Sequence, residues 1–248
     1  MGKADSHGHP EPSRIDVWKM FDRVAKRYDL LNRLLSMGID CAWRKKMATF
    51  LPQGRDLHVL DLATGTADQL LFLFDRTDRI ASGVGMDLAE KMLDIGRRKV
   101  DERRLSTSIT LTTGNAMDIP SQDNRFDAVT ISFGIRNMTN VEKALREMRR
   151  VLKPGGRVLV LEFSLPVNSC IRKVHLFYLR HVLPPIGKWI SGDPHAYRYL
   201  NKTIETFPHG AVFCRLLKDT GFVNTRAHPL TFGIASIYCG DKLVEVKI

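Results

Sequence analysis

The strongest constraint on this chain is an alternation of short apolar runs with longer amphipathic segments over residues 57–163. Five runs, among them Leu57–Ala63 (LHVLDLA) and Arg157–Phe163 (RVLVLEF), have the length and apolar character of strands buried on both faces. Segments of helical period separate most of them, for example Glu90–Arg104 and Val141–Leu152. This order is typical of a parallel sheet covered by helices on both faces, so it predicts an α/β fold.

Helical segments flank this alternation, and two further strands follow it. Ile15–Ser36 and Ala42–Phe50 have apolar residues at helical spacing, while Phe222–Ala227 and Gly233–Cys239 bring the predicted strands to seven. The whole pattern predicts a seven-stranded, mostly parallel, doubly wound sheet. We expect one domain over residues 15–248, made of N-terminal helices (15–56), an α/β core (57–164), a helical insert (165–220) and the final strands (221–248), after a flexible tail (1–14).

Composition excludes some classes of protein and leaves the partner open. The chain has no uncharged apolar run of about 18 residues, so we expect no transmembrane helix. Its four cysteines are scattered without a CxxC pair, as is typical of a protein in the reducing cytoplasm. The 38 Lys and Arg residues exceed the 27 Asp and Glu residues by 11. This surplus indicates an anionic partner such as nucleic acid, a membrane surface or a phosphorylated ligand.

The ends of the first two predicted strands carry candidate ligand-binding residues. In an open parallel sheet, ligands bind outside the carboxyl ends of the strands. The first strand runs into Thr64-Gly65-Thr66, which has one glycine where a dinucleotide fingerprint needs three, so a dehydrogenase is disfavoured. The second strand ends in Asp87, whose carboxylate is placed to accept both hydroxyls of a ribose. The alternative for Asp87 is capping of the helix that begins at Glu90.

Several motifs in a fixed order relate the chain to a known family. DLATGTAD, the acid of GMD, GNAMDIP and FDAVTISFG resemble the successive motifs of class I S-adenosylmethionine-dependent methyltransferases. Tyr28–Trp43 (YDLLNRLLSMGIDCAW) and Arg150–Ser164 (RVLKPGGRVLVLEFS) are similar to the signature segments of the ubiquinone/menaquinone-biosynthesis C-methyltransferase family. ISFGIRN and DPHAYRYL are similar to that family as well. The resemblance extends from about Val17 to Tyr238 and implies a Rossmann-like class I methyltransferase fold.

The resemblance implies a binding site for S-adenosylmethionine. At the matching positions, Thr66 contacts the cofactor in the turn after the first strand, and Asp87 holds its ribose hydroxyls. Asn115 and Ala116 match the pair that contacts adenine, and Ser132 matches the position where cofactor and substrate meet. The turn amides and the positive end of the next helix suit the methionine carboxylate. For Ser132, the alternative is a structural hydroxyl that is hydrogen bonded within the sheet.

Two positions depart from the family pattern. The usual Gly-Thr-Gly-Asp turn has Ala67 at its third position, so Ala67 must tolerate the backbone of the turn or shift it. The usual histidine of the first signature is Asp40 in this chain. Either a substrate contact is lost or altered there, or the position only packs the N-terminal helices over the site.

The family resemblance also implies a reaction, methyl transfer to a ring carbon of a polyprenylated hydroquinone. The acceptor is demethylmenaquinol, the benzoquinol of ubiquinone biosynthesis, or both. Arg136 and Asn137 are the candidate catalytic residues, because they follow Ser132 on the ligand side of the sheet. Arg136 would stabilise the phenolate or orient a water that takes the proton, and Asn137 would fix the ring. The alternative is that both side chains satisfy backbone carbonyls of their loop.

The remaining expectations concern the substrate side and the partners. Tyr197 is a candidate substrate contact, with core packing as the alternative, and no HExxH pattern or other metal site is predicted. Cys170–Ile190 mixes aromatic and aliphatic residues with Arg and Lys, so we expect these substrate-covering helices to line the entry of the lipid tail and to touch anionic lipid. Packing of this insert on the core is the alternative.

The choice of partner therefore moves from nucleic acid to a membrane surface. About half of the positive surplus falls after residue 164, in the part that includes the insert. A methyltransferase acting on RNA is the alternative activity, but the chain has no appended RNA-binding module. A cofactor-binding protein without turnover is a further alternative, suggested by Ala67 and Asp40. We expect no nucleic acid partner and a cytoplasmic location at the inner face of the membrane, and we leave homo-oligomerisation open.

Overall fold

The computed structural model describes residues 38–183 and 201–244, together with Lys19, Asp22, Ala25, Arg33, Ser36 and Pro185. The strands are β1 (Leu57–Leu62), β2 (Ile80–Asp87), β3 (Ile109–Thr113), β4 (Phe126–Ser132), β5 (Leu152–Phe163), β6 (Phe222–Leu230) and β7 (Ala235–Lys242). The helices with described bounds are α1 (Asp40–Met47), α2 (Asp68–Arg76), α3 (Glu90–Glu102), α4 (Val141–Val151), α5 (Ser169–Phe177) and α6 (Ala211–Asp219). Residues 201–206 are also helical.

All seven strands form one sheet in the order β3-β2-β1-β4-β5-β7-β6. Strands β1 to β5 pair in parallel, whereas β7 lies antiparallel to both β5 and β6. The predicted seven-stranded, mostly parallel α/β sheet is therefore confirmed. The chain order reverses between β1 and β4, which makes the carboxyl edge beside these two strands the topological switch point.

The central strands are apolar because both of their faces are covered. Successive side chains of a strand point to opposite faces, so Val59 and Leu161 belong to one hydrophobic cluster, and Leu60 and Val160 belong to the other. Helix α1 packs on the first cluster through Trp43 and other apolar residues. The polar residues of β1 and β4 are thus exceptions among the apolar residues of the core.

Some boundaries differ from the prediction. The strand expected at Arg157–Phe163 begins at Leu152, and its pairing with β4 skips from Phe126↔Leu152 to Ala128↔Arg157. The Pro154-Gly155-Gly156 stretch therefore forms an irregularity inside the strand, which the sequence indicated only as the end of a helix.

The predicted N-terminal and insert helices are only partly described. The helix expected at Ala42–Phe50 is observed as α1 followed by a 3₁₀ turn, Ala48–Phe50. In the insert, α5 continues into a π-helical turn, Tyr178–Val182. The tail 1–14, most of the helix expected at residues 15–36, and residues 186–200 lie outside the described residues.

Candidate functional site

The turn after β1 is tight, and three of its residues lie in the left-handed region. Ala63, Gly65 and Ala67 have φ values of 48°, 56° and 64°. The amide of Thr64 donates to the carbonyl of Met86 at the end of β2 (3.1 Å), which joins the two loops. Left-handed backbone is unusual for alanine, so the surroundings hold this turn in place. The departure at Ala67 is accommodated, since this buried residue adopts the left-handed conformation and α2 begins directly after it.

Asp61 is a buried acid of this edge that the sequence analysis missed. Its two carboxylate oxygens accept hydrogen bonds from the hydroxyls of Thr64 (2.7 Å) and Thr130 (2.6 Å). Burial raises the pKa of Asp61 to about 6, although these two hydrogen bonds and the charge of Arg44 lower it. A single acid inside the apolar run LHVLDLA was the available signal. The arrangement places a proton-binding group directly beneath the turn.

Asp87 ends β2 and joins two loops at the same edge. Its Oδ2 accepts from the amide of Gly65 (2.8 Å), and its Oδ1 accepts from the amide of Ala89 (2.9 Å), the residue that precedes α3. Burial raises the pKa of Asp87, and these amide hydrogen bonds lower it. The alternative for this residue is not observed, since Ala89 is the N-cap residue of α3 and no side chain caps that helix. The amide of Leu88 also interacts with this carboxylate, and since a carboxylate offers about four acceptor positions, capacity for a further donor remains.

Asn115 and Ala116 follow β3 and continue the edge beyond β2. The side-chain oxygen of Asn115 accepts from the amide of Met117 (2.9 Å), and Ala116 is buried. The neighbouring Gly114 packs against Met86 so closely that a Cβ there would lie 2.5 Å from the Met86 sulfur. A small residue at 114 therefore lets the loop approach the end of β2.

The hydroxyls of Thr66 and Ser132 both bond within the protein. Thr66 Oγ1 accepts from Lys99 Nζ (3.1 Å), and Ser132 Oγ donates to Gln69 Oε1 (2.9 Å). Both residues are buried. The hydroxyl of Ser132 thus bonds a side chain of α2, and not a partner within the sheet as the alternative for that position described.

Arg136 and Asn137 lie in a 3₁₀ turn, Ile135–Asn137, just beyond the end of β4. Arg136 Nη1 donates to the carbonyl of Phe133 (2.7 Å) and to Oε1 of Glu162 (2.6 Å). The hydrogen bond to the Phe133 carbonyl agrees with the alternative for Arg136, in which its side chain satisfies a backbone carbonyl of the loop. The ion pair with Glu162 was missed, because nothing in the sequence connects a residue of this turn with a residue of β5.

Aromatic side chains line the same edge between α1 and the sheet. The ring of Phe133 lies 4.6 Å from that of Phe163 and 6.3 Å from that of Trp43, between centroids. The guanidinium of Arg44 lies 5.1 Å from the Phe133 ring centroid. Phe133 has a φ of 59°, which is rare for a bulky residue and indicates a strained position that packing maintains.

Asp40, the second departure from the family pattern, is the centre of a buried polar cluster. It accepts hydrogen bonds from Arg33 and from the hydroxyl of Ser36 (2.8 Å), and it lies 3.6 Å from Nε of Arg44. Arg33 also pairs with Asp68 (3.0 Å) at the start of α2. This cluster ties the segment before α1 to the helix after the β1 turn, which fits a packing role for position 40.

Tyr197, the candidate substrate contact, lies outside the described residues. Among the described residues, no group of three or more His, Cys, Asp or Glu could hold a metal ion. The structure thus brings Thr66, Asp87, Asn115, Ala116, Ser132, Arg136 and Asn137 to the carboxyl edge of four neighbouring parallel strands.

Solved structures share this architecture. A possible histamine N-methyltransferase from Thermotoga maritima matches over 91% of this chain and 99% of that one, with a TM-score of 0.64 and 18% identity. A methyltransferase from Aquifex aeolicus matches with a TM-score of 0.59 and 17% identity, over 81% of this chain and 89% of that one. The sheet order and these matches define the fold of the class I S-adenosylmethionine-dependent methyltransferases.

The sequence places the chain within that class. Residues 10–242 match the ubiE/COQ5 methyltransferase family, and the chain belongs to this family. A ubiquinone/menaquinone biosynthesis C-methyltransferase from Geotalea daltonii is 42% identical over 91% of this chain and 96% of that protein. A demethylmenaquinone methyltransferase from Thermus thermophilus is 44% identical over 90% of this chain and 100% of that protein. The chain is therefore an S-adenosylmethionine-dependent C-methyltransferase.

Proposed function

We propose that this chain methylates a ring carbon of a polyprenylated hydroquinone, with S-adenosylmethionine as the methyl donor. The observation that carries the proposal is the similarity to the Thermus thermophilus demethylmenaquinone methyltransferase over the full length of that protein. The name of the Geotalea daltonii relative also refers to ubiquinone biosynthesis, which adds a benzoquinol as the second candidate acceptor. RNA methylation gains no support from these relatives, because their names refer to quinone biosynthesis.

The groups at the carboxyl edge fit this cofactor. Asp87 already accepts from backbone amides, and a carboxylate has about four acceptor positions, so it retains capacity for a ribose hydroxyl. Ala116 is small enough to leave room for a purine beside Asn115, and the tight turn at Thr66 leads into the positive end of α2. When bound, the cofactor supplies a methyl group on a positively charged sulfur.

The acceptor needs a phenolate, because a negatively charged oxygen makes the adjacent ring carbon nucleophilic. Arg136 carries a permanent positive charge in a buried setting, where it can stabilise a developing oxyanion more strongly than in water. Asn137 follows it in the same turn and would orient the ring through its amide. The aromatic rings of Phe133 and Phe163 would flank a planar acceptor and exclude water.

The exposed face of α5 supports peripheral contact with an anionic membrane. Val174 and Phe177 are 70% and 61% exposed, and Val167 just before the helix is 89% exposed. Arg172 and Lys173 are exposed on the same short helix. Apolar side chains beside cationic ones suit the interface of a lipid bilayer, where a prenylated substrate resides. In the described residues, no helix has the length and apolar character needed to span a membrane.

Parallel assays of two acceptors test the proposed reaction. Methyl transfer from labelled S-adenosylmethionine is measured with reduced demethylmenaquinol and with the corresponding demethylated benzoquinol. We expect turnover of at least one of them, and the ratio identifies the preferred ring. No transfer to either acceptor, with cofactor binding intact, would remove the proposed reaction.

A matched pair of acids tests the cofactor site. Asp87→Ala removes the acceptor at the carboxyl end of β2, and we expect cofactor affinity by calorimetry to fall at least about tenfold. Asp78→Ala removes an exposed acid that precedes the amino end of the same strand and should leave affinity unchanged. Equal affinities of the two variants would contradict the role of Asp87.

Flotation with liposomes tests the membrane face. The protein should float with vesicles that contain anionic lipid at low salt, and Phe177→Asp should reduce this fraction because it places a charge in the apolar face. Val212→Asp changes an equally exposed apolar residue on α6 and serves as the control. Retention that is equal for both variants would argue against α5 as the contact.

A further inference from the structure

The ion pair between Arg136 and Glu162 is buried at the carboxyl edge of the sheet. Their side chains are 5% and 0% exposed, and Arg136 Nη1 lies 2.6 Å from Glu162 Oε1. The same Oε1 also accepts from the amide of Phe163 (2.8 Å). Glu162 is the penultimate residue of β5, next to Leu161, which pairs with Ser132 at the end of β4. The pair therefore lies beside the proposed acceptor site.

The pair is incompletely hydrogen bonded. In the described part of the chain, Nε of Arg136 and Oε2 of Glu162 are both buried and have no hydrogen-bond partner. Buried polar atoms without a partner are rare and costly, and each calls for an explanation. One of these two atoms is a donor and the other is an acceptor.

A phenolic hydroxyl complements such a pair, because it donates one hydrogen bond and accepts others. A second carboxylate would leave Oε2 without a donor, and a cation would leave Nε without an acceptor. The guanidinium has only donors and no acceptor, so it cannot take the proton. The carboxylate of Glu162 is therefore the group in this pair that can act as a base.

We propose that Glu162 accepts the phenolic proton of the quinol while Arg136 stabilises the oxygen that loses it. This inference rests on the proposed function and names the base for that reaction. The O–H bond breaks, a bond from the proton to Glu162 Oε2 forms, and the electron pair stays on the phenolate. The ring carbon then bonds the methyl group as the methyl–sulfur bond breaks, and the electron pair of that bond stays on sulfur.

The remaining proton transfers complete the reaction. The methylated ring carbon loses its hydrogen to water as a proton, which restores the aromatic ring as a phenolate. Glu162 then returns its proton to the phenolate oxygen. One proton is released for each methyl group transferred, and Glu162 is ready for the next cycle.

The surroundings of Glu162 suit a base that gains and loses a proton. Burial raises the pKa of Glu162, whereas the charge of Arg136 lowers it. On the facing strand β7, Tyr238 interacts electrostatically with Glu162, and Ser236 is its neutral partner across the sheet. A base needs its carboxylate free of the proton, so the proposal predicts that methyl transfer rises with pH through the pKa of Glu162.

Glu162→Gln tests the proposal, because it keeps the shape of the side chain and removes the basic oxygen. We expect kcat to fall about 10²–10⁴-fold, with cofactor affinity within about twofold of the wild type and without the acidic limb of the pH profile. Asp241→Asn is the control: it removes a charge from an Arg–carboxylate pair of the same strand at the opposite edge, and should leave kcat unchanged. Wild-type turnover in the same assay separates failure of this inference from failure of the proposed function.

A more acidic acceptor distinguishes a base from a structural residue. A chlorinated hydroquinone is already partly ionised at neutral pH. The fall in kcat caused by Glu162→Gln should therefore be at least tenfold smaller with this acceptor than with the natural quinol. Glu162→Asp keeps a carboxylate and should retain at least tenfold more activity than Glu162→Gln at equal cofactor affinity. An equal loss for both acceptors, or equal activity of the two variants, would overturn the assignment.

Discussion

Replacement of the buried acid beneath the β1 turn should change how the stability of the protein depends on pH. The pKa of Asp61 rises from 3.8 to about 6 because the carboxylate is buried, so the folded protein binds this proton more tightly than the unfolded chain does. The stabilisation is complete below the pKa of the unfolded chain and is lost as pH rises through about 6. The rise from 3.8 to about 6 corresponds to about 3 kcal/mol.

Asp61→Asn removes this titration and keeps the shape of the side chain. The free energy of unfolding of the wild type, minus that of the variant, should therefore decrease by about 3 kcal/mol between about pH 3 and pH 8. Other titrating groups occur in both proteins and cancel in the difference. Urea unfolding at several pH values measures this difference in free energy. The difference in Tm between wild type and variant should change by about 6–12 °C over the same range. Unfolding free energies that run parallel over this range would refute the explanation.

Three further substitutions test the packing around the site. In Gly134→Ala, the new Cβ would lie 2.5 Å from Cβ of Ala63, so stability should fall by about 1–3 kcal/mol in denaturant unfolding, and cofactor affinity should fall with it. Asp40→Ala leaves the charge of Arg44 buried with one partner fewer, and we expect a loss of about 3–5 kcal/mol, whereas a loss below 1 would argue against the cluster. Ala67→Gly relieves about 1–2 kcal/mol of left-handed strain and removes a buried methyl group worth about 0.8 kcal/mol, so Tm should stay equal or rise slightly.

The comparison of Asp87 with Asp61 shows why some site residues could be predicted and others could not. Asp87 ends a strand, and the end of a strand is visible in the sequence as a change from apolar to polar residues. Asp61 lies inside an apolar run, and its second partner, Thr130, is 69 residues away. Glu162 is likewise enclosed in an apolar strand, and its partner Arg136 lies in the turn after β4. The local sequence pattern shows where a polar residue stands in a strand, but it does not identify the distant residue that bonds to it.

The irregular start of β5 illustrates the same limit at the level of secondary structure. Proline and two glycines end a helix in any local interpretation, and α4 does end at Val151. Pairing with β4 nevertheless extends the strand back to Leu152, because a neighbouring strand supplies hydrogen bonds that local propensity does not include.

The sequence by itself determined the α/β class, the seven strands and the family, since periodicity and motif order are properties of the linear chain. It also indicated which loops carry the cofactor motifs. Only the tertiary structure decided that β7 lies between β5 and β6, that the hydroxyl of Ser132 bonds to Gln69, and that Arg136 pairs with Glu162. The reason is physical: burial and strand pairing bring together groups far apart in the chain, and low polarity there makes their hydrogen bonds and charges decisive.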